Sequence, residues 1–104
     1  MRFGRDPFRD VIARQLDLFV EDEADLLEEC RDRHRDYERA DREDREEAYG
    51  DWSDVVEAAT EALADMRDRF GRTLDDDAAE TYEDSFNRAV RKRWPELGLE
   101  IENR

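Results

Sequence analysis

Apolar residues recur at helical spacing in three blocks of this chain, each bounded by capping or stop signals. In the first block Phe8, Val11, Ile12, Leu16, Phe19, Leu26, Leu27, Cys30 and Tyr37 fall on one helical face. Asp6 suits the N-cap and Pro7 the first helical position, where a missing amide hydrogen costs nothing. No proline or glycine follows before Gly50, so the pattern predicts one helix over about 7–49, roughly 60 Å long at 1.5 Å per residue. Its second half, Arg31 to Glu47, is almost wholly charged. The helix there rests on the pairs Glu38/Arg42, Asp41/Arg45 and Asp36/Arg39, each contributing a few tenths of a kcal/mol, and a looped segment is the competing reading.

The second block predicts a helix over about 52–70, capped by Asp51 or Ser53 and stopped by Gly71. Trp52, Val55, Val56, Ala59, Leu63, Met66 and Phe70 keep near-heptad spacing, and Arg67 and Arg69 complement the dipole at its end. The third block predicts a helix over about 76–94, with Asp75, Asp76 and Asp77 at its start and Arg88, Arg91, Lys92 and Arg93 at its end. Ala78, Tyr82, Phe86, Ala89, Val90 and Trp94 form its buried side, and Pro95 ends it. Beyond it Leu97, Leu99 and Ile101 alternate with Gly98 and Glu100, the period of an extended chain, which predicts a short extended tail over 96–104. One such strand is not stable alone. It has to lie in a groove, pair with the segment around Phe3, or add to another subunit.

These elements give a single all-α domain over 1–104, a long first helix plus an antiparallel helical hairpin in a three-helix bundle. Short connections at Gly50 and at Arg72 to Leu74 lay the later helices along the charged half of the first, leaving Phe8 to Leu27 beyond its natural cover. At about 25 cal/mol per Å² of apolar area, half a dozen exposed large side chains forgo several kcal/mol, comparable to the stability of a small domain. A homodimer remedies this, with Phe8, Val11, Ile12, Leu16, Phe19, Leu26 and Leu27 as its interface. A bend that folds the first helix over its own hairpin is the monomeric alternative. Glu23 falls within the same apolar sector, where a carboxylate either fixes helix register or lies at a wet edge.

Charge narrows the functional classes. The chain carries 32 acidic and 18 basic side chains, a net charge of −14, and Lys92 is its only lysine. Such a surface opposes nucleic acid and acidic membranes, because binding either requires cations to displace counterions. Aspartate-rich, lysine-poor composition also suits adaptation to concentrated salt. Leu, Ile, Val and Phe make up 20 of 104 residues, near the roughly 20 % at which a highly charged chain is suspected of disorder, so their placement carries the argument for a fold. The longest wholly apolar run, Leu18 to Val20, is far short of a signal sequence or a membrane span. With Cys30 as its only cysteine, the chain is expected in the reducing cytoplasm.

Two acidic clusters carry the candidate chemistry: Glu21, Asp22 and Asp25 on the first helix, and Asp51 and Asp54 at the start of the second. They resemble the EExxE and ExxD motifs of the MazG-like all-α nucleoside triphosphate pyrophosphohydrolases, with aspartate at three positions where that family has glutamate. The resemblance covers the middle half of the chain and implies magnesium held by these five acids against substrate phosphates. Helical phase instead sets Asp54 nearly opposite Val56 and Phe70, towards solvent. Cys30 and His34, one helical turn apart, suit two ligands of a zinc ion, too few for a site alone. Arg91, Lys92, Arg93 and Trp94 form the one compact basic patch, which the helix dipole already explains. No serine or second histidine is placed for nucleophilic catalysis. The reading favoured by the sequence is therefore a non-enzymatic, acidic helical interaction module without a cofactor, pairing with itself or with a helical protein partner. The alternative is a divergent magnesium-dependent pyrophosphohydrolase.

Overall fold

A computed structural model describes residues 6–104. The described chain is all-helical: α1 (Arg9–Asp22), α2 (Ala24–Arg39), α3 (Arg45–Gly71) and α4 (Asp76–Arg93), then short 3-10 turns at Pro95–Leu97 and Ile101–Asn103. Phe3, and with it any pairing of the tail to that segment, lies outside the described residues.

The predicted helix over 7–49 is three pieces. It first changes direction at Glu23, whose φ of −116° and ψ of 32° leave helical geometry although its amide still donates to the Phe19 carbonyl at 2.8 Å. No proline or glycine is involved. Packing explains the kink: it lets α1 lie against α4 while α2 runs along α3, and it leaves the Glu23 carboxylate half-exposed rather than driven into the core. The second break spans residues 40–44, where Ala40 is extended (ψ 141°) and a turn closes from the Asp41 carbonyl to the Asp44 amide at 3.0 Å. Leaving the helix there removes the i, i+4 register of Glu38/Arg42 and Asp41/Arg45. The ion pairs formed in this stretch lie earlier, between Arg33 and both Glu29 (3.7 Å) and Asp36 (3.6 Å), and between Arg35 and Asp32.

Gly50 does not stop a helix. It lies inside α3, which begins at Arg45 rather than at residue 52, so Asp51 and Ser53 are interior positions and not caps. The signals around α4 hold: Asp75 Oδ1 accepts the Ala78 amide at 2.9 Å, and the helix ends just before Pro95. α1 starts later than expected, at Arg9 with Phe8 in the N-cap position and no side-chain cap, so Asp6 and Pro7 lie in the turn before it, where the Asp6 carboxylate accepts the Phe8 amide at 2.9 Å.

Ile12, Leu16, Phe19 and Leu27 are each only 2 % exposed, and Phe8, Val11 and Leu26 pack partly buried against the same core. The expectation that this stripe lacks cover within its own chain is therefore corrected, because the kink at Glu23 folds it over α4 and the tail. Phe19 meets Trp94 edge to face, and Tyr82 gathers Phe8, Phe70 and Phe86 around it. The tail is not a strand: Leu97, Leu99 and Ile101 are buried as their alternation predicts, but along two 3-10 turns, the first seated against α2 and α4 and the second against α3 and α4. The result is 56 Å long and about 25 Å across, with the far end of the α2–α3 hairpin free of the rest. No described helix is long and apolar enough to cross a membrane.

Candidate functional site: an aromatic tip beside a groove

Between Arg31 and Ala58 no residue is buried, so the outer half of the α2–α3 hairpin has no aliphatic core. Aromatic rings hold it instead. Tyr37 on α2 stacks on Trp52 of α3 with centroids 5.4 Å apart, His34 lies 4.6 Å from the same indole, and Tyr49 meets both Tyr37 (5.6 Å) and Trp52 (5.9 Å). The Arg45 guanidinium covers the Tyr37 ring at 4.8 Å, a cation–π contact. Tyr49 remains 52 % exposed, one of two large hydrophobic side chains most open to water, with Leu18.

The cluster opens onto a groove of about 510 Å³ between α3 and the tail. Tyr49, Trp52, Val56 and Thr60 line one wall, and Gly98, Glu100, Asn103 and Arg104 the other. Gly98 takes a left-handed φ of 71°, which a side chain would strain, and so turns the tail alongside the indole. The Trp52 Nε1 donor is covered but has no acceptor, the one such buried side-chain atom among the described residues.

Arg67 fixes the tail wall. Its side chain is 2 % exposed, and its guanidinium donates to Asn87 Oδ1 (3.0 Å), the Ile101 carbonyl (3.2 Å), the main-chain oxygen of Arg104 (2.8 Å) and Asp68 Oδ1 (2.8 Å). Arg104 in turn spans the groove edge to Glu61 (2.8 Å) and Glu57 (3.7 Å) on α3. The helix-end role expected for Arg67 is thus replaced by a structural one. A charged residue in a polar run gives no periodic sign of this; Tyr37 falls on the apolar face of the first block, while Tyr49 is missed, an aromatic isolated in a charged stretch being the signal that could have found it.

The five acids of the pyrophosphohydrolase resemblance are all exposed and are not gathered. Asp22 and Glu23 lie level with Ala62 to Met66 of α3, whereas Asp51 and Asp54 lie near the His34 level of α2. Eight residues of helix, about 12 Å, separate those levels. Among the described residues no group of three or more His, Cys, Asp or Glu side chains is placed to hold a metal. Cys30 is fully buried and donates to the Val55 carbonyl at 3.5 Å, and its burial pushes the thiol pKa up; His34 stacks on Trp52 and faces Glu38 at 3.6 Å. The basic patch is engaged within the fold, Arg91 with Glu102 (3.0 Å) and Arg93 with Asp17 (2.9 Å). The chain matches no protein-family model, and neither a curated protein nor a solved structure is found to be similar to it.

Proposed function

We propose that this protein is a non-enzymatic, acidic helical interaction module that joins a second copy of itself or a helical protein partner. One observation carries the reading: a projecting two-helix tip whose aromatic residues are only partly covered, beside an open groove. Aromatic side chains contribute most when desolvated on both faces, and they are enriched where protein surfaces meet. Here Tyr49 meets Tyr37 and Trp52 edge to face and still leaves about half of its surface in water. The stripe from Phe8 to Leu27 is spent on the chain's own core, so Phe8, Val11 and Leu26 offer a partner only their exposed edges.

The test pairs mass with chemistry. Light scattering across micromolar concentrations, in low and molar potassium chloride, is expected to show association. Release of pyrophosphate from mixed nucleoside triphosphates with magnesium overturns the reading in favour of the enzyme.

A further inference from the structure

We infer that the groove between α3 and the tail receives a basic segment of a partner protein, with an arginine or lysine side chain held over Tyr49 and Trp52. This inference rests on the interaction-module reading and names the chemistry of the partner. Two features of the site select a cation. The first is the aromatic pair lining the groove, half-exposed Tyr49 and the Trp52 beside it, since aromatic rings attract guanidinium and ammonium groups through their negative quadrupoles. The second is charge: among the groove's charged side chains the carboxylates of Glu57 and Glu100 outnumber the one guanidinium, Arg104, in a chain of net charge −14. Both chemistries are already used here by the chain's own arginines. Arg45 sits over Tyr37 at 4.8 Å, and Arg104 bridges Glu61 and Glu57.

An acidic segment is disfavoured by the excess of carboxylates over Arg104. A wholly apolar one leaves them facing a dry surface, at the cost of desolvating charges without a partner. A second copy of this chain is a poor occupant, because it carries the same net charge of −14 and the Arg91 and Arg93 of its basic patch already pair with Glu102 and Asp17. The partly apolar wall formed by Val56 and Trp52 favours a segment in which basic and aliphatic residues mix over a polyarginine run.

The probe is a capped octapeptide alternating arginine and leucine, labelled for fluorescence anisotropy and titrated with the full chain in low salt. Saturable binding is expected, weakened by about fivefold in Tyr49→Ala through loss of one cation–π contact. The double variant Glu57→Gln, Glu100→Gln is expected to weaken it by about tenfold, and the glutamate–leucine counterpart is expected not to bind. Tyr49 is half exposed and both glutamates are solvated, so circular dichroism is expected to report all variants folded. No saturable binding overturns the inference. So does binding that Tyr49→Ala and the double variant leave unchanged, which marks unspecific attraction to an acidic surface. Either failure leaves the module reading to its own test of mass and pyrophosphate release.

Discussion

Replacing Arg67 with methionine, which keeps most of the length and none of the donors, tests what holds the tail. The substitution leaves Asn87 Oδ1 and the Ile101 carbonyl, both on buried residues, without a donor. Each unsatisfied buried acceptor costs about 1–3 kcal/mol. Relief from burying a cation offsets part of this, and Asp68, which is 48 % exposed, is left solvated rather than stranded. The expected net loss is about 2–4 kcal/mol, a large part of the roughly 5–15 kcal/mol that stabilises a small domain. In a urea titration followed by circular dichroism, with a slope of about 2 kcal/mol per molar, the midpoint should fall by roughly 1–2 M at unchanged slope. Arg67→Lys should recover less than half, because an ammonium cannot reproduce the planar fork that reaches four oxygens. A methionine variant whose midpoint lies within about 0.3 M of wild type refutes the assignment, since that is too small for even one stranded acceptor.

Gly50→Ala should stabilise the chain by about 0.5–1 kcal/mol, seen as a rise of a few degrees in thermal midpoint, because Gly50 is helical with open space where a Cβ would sit. Burial outweighs the hydrogen bond to Gln15 and raises the Tyr82 pKa from its ordinary 10.0 to about 12. The folded state therefore holds that proton more tightly, and the stability this contributes is complete below pH 10.0 and fades as pH rises to about 12. Thermal midpoints measured across that window should fall less steeply in Tyr82→Phe. Stability should also rise from low to molar potassium chloride, since a net charge of −14 opposes compaction until it is screened, and an unchanged thermal midpoint would contradict this.

Which parts of this fold could be read from the chain depended on whether a local signal or packing decided them. The ends of α4 are local: Asp75 caps, Pro95 forbids continuation, and both were legible. The kink at Glu23 has no such marker. Only the carboxylate within the apolar sector hinted at it, and what decides it is the cover that α4 and the tail offer the two halves of the stripe. Gly50 misled because glycine weakens a helix by only about 1 kcal/mol, which α3 makes up elsewhere along its length. In the tail, alternation correctly told which side chains are buried, while the backbone chose 3-10 turns because no neighbouring strand exists among the described residues to pair with it. The groove was legible only in part: Trp52 was placed on the helix face, but its meeting with Tyr37, Tyr49 and the Gly98 turn depends on the hairpin and on Arg67.

The absence of any buried residue between Arg31 and Ala58 gives the molecule two regions of unequal cooperativity. The base, closed by Ile12, Leu16, Phe86, Val90 and Ile101, is expected to open only when the whole chain does. The tip is expected to open separately: its rings meet over local sequence distances, and it holds no buried residue of its own, joining the base through the Cys30 hydrogen bond to the Val55 carbonyl and the packing of Val55 and Val56. Amide hydrogens at the tip should therefore exchange through sub-global openings, orders of magnitude faster than those of α4. An occupant of the groove that bridges α3 and the tail would draw those two regions into one cooperative unit, and slowed exchange around Tyr49 would register its arrival.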